Sequence, residues 1–375
     1  MIDLANYQKE KEIKKPTDAL ASTKKSGFSF DRITIKDQLF FAQNLQAMVK
    51  SGLALDKALK TLSEQATNKK LKSILAELAD NTEHGKPLAD GLVKYEDIFG
   101  NFFINMVKAG ELSGSLESAL EQIYHHLKKI HDLKSKVVSA MIYPIVVIVA
   151  MILIGIGLVV FIVPKITAIF KDSGVELPMT TKFIIGLSDF VILHWLIIII
   201  CFFIILFLAF IALKNKNGRK RFYRLLFELP VLGQILKNFN LAKFCRTLSA
   251  LLKTDIQIIQ ALVVTAEILD AGPYRDSLNE SVDELKSGKP ISAVLVKYPK
   301  IYPPIILQMI ATGEETGTLD KILAEMAEFY EDDVEQTMKN LPAIIEPVLI
   351  LVLGAGVAFI ALAIITPMYS LTNTM

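Results

Sequence analysis

The sequence predicts an all-α membrane protein with two homologous cytoplasmic six-helix bundles in tandem and three transmembrane helices. Three observations carry this prediction. First, Ala109-Gly110-Glu111-Leu112-Ser113-Gly114-Ser115-Leu116 returns 203 residues later as Thr312-Gly313-Glu314-Glu315-Thr316-Gly317-Thr318-Leu319. Other landmarks keep that offset: Phe41 and Leu45 with Phe244 and Leu248, Gly85-Lys86-Pro87 with Gly288-Lys289-Pro290, and Pro144 with Pro347. One short match is weak, whereas a ladder at a constant offset marks internal duplication. Second, apolar residues recur at helical spacing, and no alternating stretch of useful length competes with them. Third, 52% of the residues are hydrophobic, only 21% are charged and the mean hydropathy is +0.42. That is too apolar for an ordinary soluble enzyme.

Residues 1–30 carry Lys9, Lys11, Lys14, Lys15, Lys24 and Lys25 without an apolar segment, and read as a polar flexible tail. The first bundle occupies 31–136. Thr34 is placed as an N-cap, with Asp37 three residues on as a relative of the capping box. Phe40, Phe41, Leu45, Met48 and Val49 then share a helical stripe, which Gly52 breaks. A second helix is expected over 55–65 and a third over 69–82. Gly85 ends the third, and Pro87 suits the first turn of a short fourth. A fifth is expected over 101–109, with the Gly-Glu-x-x-Gly stretch as the turn before a sixth that starts near Ser115.

That sixth helix carries Lys128, Lys129, Lys134 and Lys136 and then continues into 137–163, 27 positions without a charge. About 20 residues cross a bilayer core, so this is the first span. Pro144 is expected to bend it, and Pro164 marks its exit. Residues 164–189 form a connecting loop, and 190–213 a second span with Trp195 suited to an interface. Lys214, Lys216, Arg219, Lys220, Arg221 and Arg224 follow directly. Short basic flanks stay cytoplasmic, and here they face phospholipid head groups rather than nucleic acid. The second bundle covers 214–341, with Asp255 at the position of Gly52. The third span covers 343–365, ending before Pro367, and 366–375 is a short tail. Both bundles and the N-terminus are expected in the cytoplasm, with 164–189 and the C-terminus in the periplasm. The unmatched span 190–213 is then the return crossing that parallel repeats require.

Little in the chain suggests catalysis. Gly110–Gly114 lacks the Gly-Lys-Ser/Thr ending of a phosphate loop, and no His-Glu-x-x-His, Cys-x-x-Cys or nucleophile elbow occurs. No catalytic, cofactor or metal residue is assigned; His125 and His126 point to different faces of one helix. The net charge of +2 argues for no nucleic-acid partner. The candidate residues are therefore structural or partner-docking: Gly110, Glu111, Gly114, Gly313, Glu314 and Gly317. Glu111 and Glu314 admit two readings, a carboxylate stabilised at a helix N-terminal turn or a contact for a partner. Tyr143, Pro144, Glu346 and Pro347 are candidates for packing at the membrane entrances, with Glu346 open to an interfacial or coupling role as well.

From about Ile33 to Met368 the pattern resembles the inner-membrane platform proteins of type II secretion and type IV pilus systems. The resemblance rests on the paired Gly-Glu-x-x-Gly-x-Leu motifs, on Ser139-Ala140-Met141-Ile142-Tyr143-Pro144 and Ile345-Glu346-Pro347, on Val163-Pro164, and on Leu177-Pro178-Met179-Thr180-Thr181. It implies a non-enzymatic, oligomeric platform in the cell inner membrane. Its partners would be a cytoplasmic assembly or retraction ATPase, pilin or pseudopilin subunits and other inner-membrane assembly proteins. The pilus branch is the expectation, type II secretion the alternative, and a small membrane transporter the distant one.

Overall fold

Thr34 opens the first helix. In the computed structural model, which describes residues 32–165, 179–254, 256–269 and 272–372, the Thr34 hydroxyl accepts from the Asp37 N–H and the Asp37 carboxylate accepts from the Thr34 N–H at 2.7 Å. The capping box is complete, so two donors that the first turn would leave unpaired are satisfied. Helices α1 (Ile35–Lys50), α2 (Leu55–Gln65), α3 (Lys69–Glu83), α4 (Leu88–Val93), α5 (Glu96–Ser113) and α6 (Leu116–Gly157) follow. Helices α7 (Met179–Lys214) and α8 (Lys216–Glu228) lead into α9 (Pro230–Leu252), α10 (Ile258–Ile268), α11 (Pro273–Lys286), α12 (Ile291–Leu295), α13 (Pro304–Thr316) and α14 (Leu319–Thr372). Helices α2 and α10 begin and end at matching positions of the two repeats, and α6 and α14 both start on the leucine of the repeated motif. Asp255 lies outside the described residues, as do the tail 1–30 and the stretch 166–178.

The repeated landmarks are core residues. Phe41, Leu45 and Phe103 are fully buried, as are Phe244, Leu248 and Ile306 in the second copy. In the first bundle the Phe41 and Phe103 rings stack at 5.5 Å, with Phe99 tilted against both. In the second, Tyr302 stands at the place of Phe99 and packs edge-on against Phe244 at 5.8 Å. Its hydroxyl needs a partner in that dry setting, and Ser277 Oγ lies 3.1 Å away.

The two bundles share one continuous core, with α5 against α10 and α6 against both α9 and α14. Asn101 donates to Glu267 at 2.6 Å across this boundary, Gln260 to Asn105 at 2.9 Å, and Lys136 pairs with Glu335. Burying one large apolar side chain is worth about 1.5–3 kcal/mol, against about 0–1 kcal/mol for an exposed polar pair. The apolar seam therefore holds the bundles together, and the polar links orient them.

Helix α6 passes through Pro144 without ending, because a proline removes one backbone donor but hydrophobic length continues on both sides. A π-helical turn, Leu158–Ile162, lies near its far end. Ser188 of α7, buried there, donates to the Val159 carbonyl at 2.7 Å, satisfying a backbone acceptor where water is scarce. Val163, Ile184 and Ala363 close a small apolar cluster between the three long helices. Among the described residues, three helices are long and apolar enough to cross a membrane, and most of their apolar surface is uncovered by this chain. One expectation is corrected. Residues 179–189 are helical rather than loop, since α7 starts at Met179; its backbone breaks instead at His194 (φ −115°, ψ 17°). The third long helix runs on through Pro367 to Thr372, past the expected end of the span at 365.

Candidate functional site

The Gly-Glu-x-x-Gly-x-Leu stretch is not the turn that its glycines suggested. Helix α5 kinks at Gly100 (φ 78°, ψ 159°) and runs on to Ser113, so Gly110 and Glu111 sit within its last turns; Gly114, at φ 70°, and Ser115, at φ −110° and ψ 38°, leave the helical region. Gly114 is a left-handed C-cap, with the Ser115 N–H donating to the Gly110 carbonyl at 2.8 Å. Gly317, at φ 68°, ends α13 in the same way, and the Thr318 N–H donates to the Gly313 carbonyl at 3.1 Å. That conformation favours glycine.

Gly110 has a different job. A Cβ there would lie 2.6 Å from the Ala119 Cβ and 3.0 Å from the Leu116 Cα. At Gly313 it would lie 2.9 Å from the Leu319 Cα. The first glycine of each motif thus lets the next helix cross against the backbone of the last.

The glutamates do not sit at the N-terminus of their own helix; they cap another one. Glu111 Oε1 and Oε2 accept from the Leu88 N–H at 2.6 Å and the Ala89 N–H at 2.8 Å. These are the first donors of α4, whose N-cap, Pro87, offers no side-chain acceptor. In the second copy Glu314 accepts from the Ile291 N–H, from the Ser292 N–H at 3.1 Å and from Ser292 Oγ at 2.7 Å. A carboxylate near the C-terminus of α5 would be unfavourable by that helix's dipole alone. The N-terminus of α4 reverses the balance with two charge-assisted hydrogen bonds. Each corner also borders a groove, of about 570 Å³ in the first bundle and about 650 Å³ in the second, with Lys86 and Lys289 on the respective rims.

The membrane candidates are not gathered into one site. Tyr143 is half-exposed and Pro144 buried, whereas Glu346 and Pro347 are exposed on α14. Val137, Ala140 and Met141 of α6 and Ile345 of α14 pack on the membrane end of the shared core. Helix α8 places Arg219, Arg221 and Arg224 directly after the second long helix, with Phe222 and Leu225 exposed beside them.

Sequence reading missed a polar cluster at the bundle joint. Arg246 donates to Glu331 from Nε at 2.8 Å and from Nη2 at 2.9 Å, and Lys129 approaches the same carboxylate at 3.5 Å. His126 is buried against Phe102, their rings 4.0 Å apart. Burial, helped by the charges of Lys243 and Arg246, pushes its imidazole down to about 3. The only sequence signal was a histidine within an apolar helical stripe, and the Arg246–Glu331 pair of the cluster lies in the other repeat.

The duplication seen in the fold is also the extent of a known family. The family model for type II secretion system protein F matches residues 41–164 and again 244–367. The chain belongs to the type II secretion system protein F family. The type IV pilus assembly protein PilC of Thermus thermophilus is 33% identical over 341 residues, 91% of this chain and 84% of that protein. The type II secretion system protein F of Vibrio cholerae is 30% identical over 357 residues, 95% of this chain and 87% of its own length. The PilC protein of Myxococcus xanthus is 31% identical over 350 residues, 92% of this chain and 83% of that protein. Family membership makes this chain a membrane platform component of pilus or secretion machinery and not an enzyme. With its three apolar helices, it is an inner-membrane protein.

Proposed function

We propose that this family member is the inner-membrane platform of a type IV pilus machine, coupling a cytoplasmic assembly or retraction ATPase to the insertion or removal of pilin subunits. The observation that carries the reading is the two-copy match to the protein F family on a chain whose duplicated bundles are joined by one core. The 33% identity to a pilus assembly protein over 91% of the chain supports the pilus branch. The identity of 30% to a secretion protein F keeps type II secretion, acting on pseudopilins, as the second reading.

In this reading both bundles lie in the cytoplasm, 31–136 and 214–341. The spans are 137–163, 190–213 and 343–365, and the C-terminal end is periplasmic. The basic residues Lys128 to Lys136 and Lys214 to Arg224 support that orientation and suit anionic lipid head groups. The uncovered apolar faces of the long helices suit other copies of this chain, pilin and neighbouring inner-membrane assembly proteins. Gly110, Glu111 and Gly114, with Gly313, Glu314 and Gly317, set the shape of the bundle faces that receive the ATPase. Tyr143, Pro144, Glu346 and Pro347 pack at the membrane entrances.

The test is deletion of either cytoplasmic bundle, with the truncated chain checked for membrane insertion. Loss of surface pili and of ATPase capture is expected; piliation that survives either deletion refutes the role. Single cysteines in 220–330 should resist a membrane-impermeant reagent in intact spheroplasts. Labelling there overturns the orientation.

A further inference from the structure

The joint between the bundles holds a half-open polar cavity of about 270 Å³. His126 and Lys129 of α6 and Arg246 and Lys253 of α9 line it, with Glu328 of α14 on its wall. Its charge is unbalanced. Arg246 and Lys129 share one carboxylate, that of Glu331. Lys253 adds a third cation, with Glu328 as the one further carboxylate of the lining. Glu121 pairs outward with His125, at 3.8 Å. A second feature is independent of charge. His126 is 4% exposed, and its Nδ1 has no hydrogen-bond partner among the described residues. Buried polar atoms are nearly always partnered, so an orphan at the wall of a polar cavity points to a missing ligand. A neutral imidazole carrying its proton on Nδ1 donates one hydrogen bond.

We propose that this cavity binds a small oxyanion of the phosphate class, held by Lys129, Arg246 and Lys253 and by a hydrogen bond from His126 Nδ1. An oxyanion supplies acceptors to a site whose side chains are mostly donors. Because its cations come from both repeats, the ligand ties the first bundle to the second across the joint and stiffens it. The phosphate has two sources, a soluble phosphate compound or a lipid head group. His126 lies 11 residues before the uncharged stretch that begins at Val137, about 16 Å along a helix, so both sources reach it. The site is distinct from the Gly-Glu corners and stands whichever machine the chain serves.

The experiment uses the full chain in detergent at constant ionic strength. Inorganic phosphate and short-chain phosphatidic acid are titrated separately, with binding read by calorimetry and thermal melting. Saturable binding at one site per chain, with a raised melting midpoint, is expected. A response to inorganic phosphate assigns the soluble source, and a response to phosphatidic acid alone assigns the head group. Lys129→Ala and Lys253→Ala, both exposed side chains, should each weaken binding about tenfold, the scale of one lost charge-assisted contact. His126→Phe keeps the packing on Phe102 and should melt cooperatively in chloride while losing the ligand response. A wild-type midpoint that follows ionic strength alone overturns the proposal. So does an unchanged affinity in the two lysine variants, which remain informative should His126→Phe fail to fold.

Discussion

Replacing Glu111 with alanine should unfasten α4 before it unfolds the bundle. The wild-type carboxylate accepts from the Leu88 and Ala89 N–H groups at 2.6 and 2.8 Å, and Pro87 leaves no other cap. A hydrogen bond to a charged group contributes about 1.5–3 kcal/mol. Leu88 and Ala89 are buried to 1% and 2% exposure, which keeps water from replacing the lost acceptor easily. The groove beside Glu111 lets some water in, so the sum falls to about 2–4 kcal/mol for Glu111→Ala. Glu111→Gln keeps one acceptor oxygen and should lose about half as much. The assay is amide hydrogen exchange on the full chain in detergent, comparing residues 88–93 with α1. Protection of α4 should fall about 30- to 1,000-fold in the alanine variant, the equivalent of that free energy, while α1 changes little. Unchanged protection of α4 refutes the capping argument. Retained protection with lost ATPase capture would reassign the carboxylate to docking.

Further outcomes follow from the same geometry. Gly110→Ala drives a Cβ to 2.6 Å from Ala119 and should cost about 1–3 kcal/mol by overpacking; a wild-type melting curve would refute the close-approach argument. Gly114→Ala strains a residue at φ 70° and should cost about 1–2 kcal/mol, measured in the same melt. Glu331→Ala leaves the mostly buried Arg246 guanidinium without its carboxylate and should cost about 3–5 kcal/mol, whereas Arg246→Met with Glu331→Leu should recover most of it. If the double variant is no better than the single one, the pair is not the unit of stability. Lys136 and Lys339 hold the Glu335 carboxyl down to about 2. A carboxyl with a depressed folded pKa contributes stability above its unfolded value, near 4.5, and loses it as pH falls toward 2. Acid titration should therefore loosen the contact of α6 with α14 across that window, and Glu335→Gln should flatten that response.

The helical class, the duplication and the long apolar helices were legible because each is a one-dimensional signal. Thr34 and Asp37 announced their cap from a spacing of three, and Phe41 with Phe244 announced the core from a repeat. The ends of elements were less legible. The glycine of Gly110-Glu111 looked like a loop residue, yet it serves close packing inside α5, and the helix ends at Gly114. Met179 opens a helix ahead of the apolar run because polar residues are compatible with helix as well as with loop.

By itself the sequence determined what repeats, what is apolar and at what period, since these depend on residue type and spacing alone. Only the tertiary structure decided what Glu111 does, because its partners are backbone N–H groups of Leu88 and Ala89, which every sequence possesses and no side chain advertises. The same holds for His126, Arg246 and Glu331, brought together from different repeats by burial of a shared apolar seam. Hydrophobic burial is non-directional and acts over the whole chain, so the polar neighbours it creates are written in no local pattern.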